Sequence, residues 1–286
     1  MNPSPVLVVT GFDAKHFDLA LDLAESFRAA YQDRYRLAAI VFGAEPAPPA
    51  LAAHFDQVMH LADAGAGFGA AAGYVLAYAG LKARLREVFP GHAAYIWIDA
   101  DCWMQGDESL PRICAGLGAF DICVHPESDV HYLDHETPSE RTLQIYRSND
   151  GPRLAAMPLR KPMLNTGVFA MRADSRVWAL WQAELDQLRQ RHQQGERVYL
   201  SDQIPLHKIV YLQRLRVYPL RAIDNWKTYA CLPFIDRQAR CLRVPTLPHE
   251  KIGLMHLAGT TKDQLFPIDG QQLTLRYRDM HRLLAG

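Results

Sequence analysis

Ile96-Trp97-Ile98-Asp99-Ala100-Asp101 is a short apolar run that ends in two carboxylates spaced i and i+2. A strand inside a parallel sheet is apolar on both faces, so the arrival of Asp99 and Asp101 marks the point where it leaves the core. That edge is where open α/β sheets bind ligands. Magnesium and manganese take carboxylate oxygens and usually also bridge substrate phosphates, so two acids at a crevice suit a metal-held nucleotide. The pair equally suits a helix N-cap followed by a loop acid.

Three further patches carry polar chemistry. Leu164-Asn165-Thr166-Gly167-Val168-Phe169 sets an amide and a backbone-permissive glycine at a strand entrance, which suits either close approach of a polar ligand or an ordinary turn. Ser201-Asp202-Gln203 opens an apolar-periodic segment, where Ser201 can cap a helix and Asp202 can favour its positive end. Met255-His256-Leu257-Ala258-Gly259-Thr260-Thr261-Lys262 follows a short apolar run. It combines a metal ligand, a close backbone contact and a counter-charge for phosphate. A competing constellation lies in His125-Pro-Glu-Ser-Asp129-Val-His131-Tyr-Leu-Asp134-His135-Glu136, whose imidazoles and acids could bind zinc in a hydrolase. Without apolar periodicity the same segment reads as a solvated polar loop or an acceptor-binding loop.

The elements that must position these groups alternate between strand and helix. Val6 to Thr10 is a β-branched run that stops at Gly11, Phe17 to Ala30 has helical apolar spacing, and Leu37 to Phe42 and Val58 to Leu61 supply further strands. Tyr74 to Phe89 is a helix ended by Pro90-Gly91, directly before the strand that ends at Asp99. Asp121 to Val124 and Gly167 to Met171 read as strands. Ser175 to Arg191 reads as a helix with Trp178, Trp181, Leu185 and Leu188 toward the core. This alternation predicts an α/β fold with a mostly parallel, twisted central sheet flanked by helices. His125 to Pro162 is polar and too long for an ordinary connection, as lids and substrate loops often are. Ala62 to Gly73 is rich in alanine and glycine but lacks the Gly-Lys-Ser/Thr ending of a phosphate loop.

At 286 residues the chain is long enough to bury a substantial core. Lysine plus arginine equal aspartate plus glutamate at 31 each, so net charge gives no argument for nucleic acid or an anionic membrane surface. An anionic ligand needs a local site. The five cysteines, Cys102, Cys114, Cys123, Cys231 and Cys241, form neither a CxxC pair nor an even-numbered framework, which indicates a reducing compartment. No apolar run approaches the roughly 18 residues of a membrane span, so a soluble cytoplasmic protein is expected.

Taken in order, the patches resemble GT-A fold glycosyltransferases. The likeness is to glycosyltransferase family 8, which includes bacterial lipopolysaccharide galactosyl- and glucosyltransferases and the glycogenins. Asp99-Ala100-Asp101 matches its D-x-D, Asn165-Thr166-Gly167 its N-x-G, Asp202-Gln203 its D-Q and His256 to Lys262 its H-x-x-G-x-x-K. The resemblance spans almost the whole chain and implies one domain of the nucleotide-diphospho-sugar transferase type, with residues 1–101 as a nucleotide-binding half and 102–286 as a donor-sugar and acceptor half. It also implies that Lys82 contacts the nucleotide, that Thr10, Gly11 and Asp13 lie in the loop contacting the base, and that Gly259 and Lys262 meet the diphosphate. Asn165, Asp202 and Gln203 would lie around the donor sugar, with Gln203 facing the anomeric carbon. Two departures stand out: Asp263-Gln264 follows where the family commonly has Pro-Trp, and Thr10-Gly-Phe-Asp13 replaces a more usual Asp-x-Asn-Tyr.

The implied reaction moves a hexose from a nucleotide-diphosphate sugar, with uridine expected from the family, to a saccharide or lipid-linked acceptor with retention of configuration. Asp99, Asp101 and His256 would supply two oxygens and one nitrogen to a cation, a donor set that favours manganese with magnesium as the alternative. Lys262 and the ion would stabilise the charge growing on the leaving diphosphate. The rivals are a phosphatase of the haloacid-dehalogenase type, which also places D-x-D after an apolar strand, and a catalytically inactive nucleotide-sugar-binding protein. The basic, amphipathic segment from Leu275 to Leu284 is expected either to touch the inner face of a membrane or to pack on the domain.

Overall fold

The computed structural model describes residues 4–61, 78–132, 140–150 and 161–285. Strand β1 (Ser4–Asp13) and helix α1 (Phe17–Tyr31) open the chain, followed by β2 (Arg36–Phe42), the single turn α2 (Pro49–Ala52) and β3 (Gln57–Leu61). A helical stretch at 78–82 and α3 (Leu85–Val88) lead into β4 (His92–Ile98) and the short β5 (Cys102–Met104). Next come α4 (Ser109–Gly116), β6 (Ile122–Pro126), α5 (Glu140–Asp150), β7 (Leu164–Arg172), α6 (Val177–Gln193) and α7 (Gln203–Leu212). Short strands follow: β8 (Val217–Pro219), β9 (Trp226–Lys227), β10 (Phe234–Asp236), β11 (Cys241–Arg243) and β12 (Leu254–His256). The hairpin β13 (Phe266–Ile268) and β14 (Gln271–Leu273) and helix α8 (Tyr277–Ala285) complete the described chain.

Seven strands form the central sheet in the order β3-β2-β1-β4-β7-β6-β8. All neighbours are parallel except β7, which runs against both β4 and β6. The expected α/β architecture with a mostly parallel sheet is therefore present. Strand β4 shows why its apolar run is continuous: Ala94, Ile96 and Ile98 enter the core on the α1 side, while Tyr95 and Trp97 enter the opposite core with Trp178 and Trp181 of α6. A second sheet, β5-β12-β9, has β12 antiparallel to β5 and parallel to β9.

Three expectations change in detail. Strand β1 continues past Gly11 to Asp13, because Gly11, Phe12 and Asp13 pair with Ile40, Val41 and Phe42. The expected helix from Tyr74 to Phe89 is interrupted by a turn at Ala83-Arg84, and its first four residues lie outside the described chain, as does the Ala62 to Gly73 stretch. The polar stretch from His125 to Pro162 is not one loop: it begins as the end of β6 and contains α5, whose Tyr146 is buried against His207.

Helix α8 packs on α1. Met280 is fully buried, Arg276 meets the buried Asp22 at 2.7 Å, and Arg278 lies 3.2 Å from Asp22 and 3.5 Å from Glu25. Among the described residues no helix is long and apolar enough to cross a membrane.

Gly11 is where two core aromatics crowd the backbone. A Cβ there would lie 2.7 Å from Trp97 Cη2 and 2.9 Å from Phe42 Cε2. Gly11→Ala is expected to cost about 1–3 kcal/mol, the usual scale of core overpacking. Urea denaturation checks this, and an unchanged midpoint would show that the two rings yield freely.

Candidate active site

The chemistry-bearing residues gather at the carboxyl edge of β1 and β4, where the reversed strand β7 begins. Asp99 N–H donates to Gly167 O at 2.8 Å, joining the D-x-D turn to the entrance of β7. Strand β6 ends beside it, with His125 opposite Asn165, so Glu127 follows directly next to the Asn165 amide. Helix α7 brings Asp202 and Gln203 at its N-terminus. The second sheet brings the rest, since β12 sets His256 directly between Cys102 of β5 and Lys227 of β9.

Asp99 is held by three donors on one oxygen. Its Oδ1 accepts from Trp97 Nε1 at 2.6 Å and Tyr78 Oη at 2.7 Å, and Lys82 Nζ lies 3.0 Å away. Lys82 is 2 % exposed, also pairs with Asp202 at 2.9 Å and donates to Thr166 O at 3.3 Å. The rings of Tyr78 and Trp97 face its ammonium at 4.7 and 5.1 Å. Burial works against the charged lysine, but Asp202 and Asp99 outweigh it and raise its pKa. Burial likewise pushes the Asp202 carboxyl up, yet Lys82 and the Thr166 hydroxyl hold it below the usual carboxylate range. Asp202 therefore does not cap α7 with its side chain; Ser201 Oγ accepts from Gln203 N–H at 3.1 Å instead.

Asp101 faces two cationic or potentially cationic partners: Lys262 Nζ at 2.8 Å and His256 Nε2 at 3.4 Å. Against the upward push of burial, His256 and Lys262 hold this carboxyl far below its ordinary value. Burial also works against the Lys262 ammonium, but Asp101 raises its pKa. Gly259 sits at φ +69°, a left-handed conformation suited to glycine, at the start of the turn Gly259–Lys262 that returns Lys262 to Asp101.

A relay of amides joins His256 to Asn165 and Glu127. His256 Nδ1 lies 2.8 Å from Asn225 Oδ1, Asn225 Nδ2 donates to Asn165 Oδ1 at 3.0 Å, and Asn165 Nδ2 donates to Glu127 Oε1 at 3.0 Å. Because the Asn225 oxygen only accepts, Nδ1 donates to it, and Nε2 faces Asp101. Gln203 Nε2 donates to the same Glu127 oxygen at 3.3 Å, and Lys227 Nζ is 3.5 Å from it. Burial raises the Glu127 pKa less than Lys227 and the two amides lower it, so it stays ionised. Gly167 makes the relay possible. A Cβ there would lie 2.3 Å from His256 Cε1 and 2.9 Å from Asn165 Oδ1, so it is the protein's own imidazole that approaches this glycine.

Asp99, Asp101, Lys82, Asn165, Asp202, Gln203, His256, Gly259 and Lys262 thus converge in one region. Thr10 and Gly11 instead lie within β1: Thr10 is fully buried, and Gly11 faces Trp97 and Phe42. Asp13 Oδ1 accepts from Lys15 N–H at 3.1 Å and lies 2.5 Å from His16 Nδ1, closing the turn that follows β1. The alternative zinc constellation does not assemble from its described members. His125 is buried with Leu220 O at 3.0 Å and Tyr132 Oη at 3.1 Å on its two nitrogens, and burial pushes its pKa down to about 4. His131 contacts Thr246 at 3.0 Å and Glu250 at 3.5 Å. Asp134, His135 and Glu136 lie outside the described residues.

Sequence reasoning missed Tyr78, Glu127, Asn225 and Lys227. The available signal was polar residues flanking the buried Trp226, and an acid directly after a strand end, each too isolated to form a motif.

No family model matches the sequence, and no curated protein matches it. By structure the chain is similar to mouse xyloside xylosyltransferase 1 in its apo form, with TM-score 0.54 and 13% identity over 88% of this chain and 97% of that one. It is also similar to galactosyltransferase LgtC, solved in complex with donor and acceptor sugar analogs, with TM-score 0.58 and 15% identity over 98% of this chain and 95% of that one. At these identities the likeness concerns the fold: the chain has the GT-A architecture of these glycosyltransferases.

Proposed function

We propose that the protein transfers a hexose from a nucleotide-diphosphate sugar, with a UDP-sugar as the donor class, to a saccharide or lipid-linked acceptor in a metal-dependent reaction. The observation that carries this reading is the meeting of Asp101 and His256 at 3.4 Å with Lys262 beside them, at the carboxyl edge of a GT-A sheet. Residues 1–101 would serve the nucleotide, and 102–286 the sugar and acceptor.

Asp101 and His256 lie close enough to share a divalent cation of the manganese or magnesium class, and Asp99, which stands outside the group of ligand atoms within 4.8 Å of one another, would join them by turning its Oδ2 inward. Asp99 Oδ2 accepts no hydrogen bond from the described residues, and the Asn225 contact aims His256 Nε2 at Asp101. Such an ion, when bound, acts as a Lewis acid toward the charge that grows on a leaving diphosphate. Lys262 adds a second positive charge there, and moving from Asp101 to a phosphate oxygen exchanges one anionic partner for another. Lys82 fixes Asp99 and Asp202 in place without touching solvent. Asn165 and Gln203, both held by Glu127, present amide groups able to bind sugar hydroxyls. The resemblance to glycosyltransferase family 8 implies retention, with Gln203 facing the anomeric carbon.

A manganese-dependent hydrolysis screen over a panel of sugar-nucleotides tests the reading. Turnover of one of them supports it, whereas phosphate release from phosphomonoesters without sugar-nucleotide turnover would indicate a phosphatase. Asp101→Asn keeps side-chain size but removes the charge, so metal-dependent turnover should collapse while the chain still folds, with a lower urea midpoint because Lys262 loses its buried partner; near-normal turnover would remove Asp101 from the metal site. Lys262→Ala should lower turnover on the order of a hundredfold, and an unchanged rate would confine Lys262 to its ion pair with Asp101.

A further inference from the structure

Among the described residues, one group brings three potential ligand atoms within 4.8 Å of one another: Asp101, Cys102 and His256. The thiol is not part of the donor set proposed above. Strand pairing puts it there, because Cys102 and His256 are directly opposite in the antiparallel β5–β12 pair and project to the same face. All three side chains are buried. The imidazole is oriented as metal-ligating histidines are, with Nδ1 engaged by Asn225 Oδ1 at 2.8 Å and Nε2 turned inward. Lys262 holds Asp101 Oδ2, so Oδ1 faces the imidazole.

One oxygen, one sulfur and one nitrogen form a different donor set from two carboxylates and an imidazole. Manganese and magnesium prefer oxygen, whereas thiolate combined with imidazole selects zinc and its soft relatives. We propose that Asp101, Cys102 and His256 form a site for a thiophilic divalent ion of the zinc class, which competes with the catalytic ion for Asp101 and His256. The competition, though not the binding, rests on the transferase reading. Uptake forms a metal–sulfur bond and breaks the S–H bond, releasing one proton to solvent per ion bound. Zinc is thus expected to inhibit a manganese-supported reaction by occupying two of its three ligands.

The test uses the purified full chain and two metals. Cobalt(II) added to wild type should produce a sulfur-to-cobalt charge-transfer absorption, and the same signal should be lost in Cys102→Ser, in Cys102→Ala and in His256→Asn. The ratio of zinc to manganese affinity, measured by competition titration, should fall at least tenfold in both Cys102 variants, the scale on which even outer-shell partners act. Absence of the sulfur signal in wild type, or an unchanged affinity ratio, would overturn the proposal, and the wild-type spectrum decides even if a variant fails to fold. A wild-type sulfur signal in a chain that turns over no sugar-nucleotide would uphold the zinc site and sink the transferase reading. Manganese-dependent turnover with no sulfur signal would do the reverse.

Discussion

Four carboxylates crowd one edge of the central sheet, and the site depends on a lysine standing within reach of each. Lys82 bridges Asp99 at 3.0 Å and Asp202 at 2.9 Å, Lys262 meets Asp101 at 2.8 Å, and Lys227 lies 3.5 Å from Glu127. Removing an ion from water costs several kcal/mol even after relaxation, so such groups persist only where each has a partner. Lys82 and Lys227 are each 2 % exposed and also lie over aromatic rings, Tyr78 and Trp97 for the first and Tyr132 and Tyr229 for the second. Burial pushes Asp101, Glu127 and Asp202 toward the neutral form, and in all three the neighbouring cations and hydrogen bonds prevail. These three carboxylates therefore stay ionised at neutral pH, the form in which a carboxylate can ligate a divalent ion.

The architecture follows from that requirement. A parallel sheet alone delivers Asp99 and Asp101 to its edge, but it does not bring the histidine and the lysine from the far end of the sequence. The small β5-β12-β9 sheet does so by hydrogen-bonding residues 102–104 to residues 254–256 and setting Lys227 on the other side. The reversed β7 brings Asn165 between the two sheets, and only a glycine at 167 leaves room for His256 against it. The amide relay from His256 through Asn225 and Asn165 to Glu127 then fixes the imidazole and the Asn165 amide in one hydrogen-bonded unit.

The long elements were legible because burial writes a period into the sequence. β4, α1 and α6 carry continuous or helical apolar patterns, and each lies where that pattern puts it. Strands β5, β9 and β12 were not legible, since two or three residues are too few to show any period. Helix α5 was hidden by polarity, because its packing rests on few inward residues such as Tyr146. Motif order brought Asp99, Asp101, Asn165, Asp202, Gln203, His256 and Lys262 into view. Asn225 and Glu127 escaped because their importance lies in whom they bond, and that is a property of the folded chain. Thr10 and Gly11, taken with the base-contacting loop, are strand residues packed in the core.

The central claim is that Asp101 and His256 share one cation. Pulsed electron paramagnetic resonance of manganese bound to the chain with UDP present, using nitrogen-15 histidine labelling, reads this contact directly. A single manganese with an imidazole nitrogen coupling that disappears in His256→Asn is the predicted result. Bound manganese with no histidine coupling, or with a coupling that survives the substitution, would contradict it.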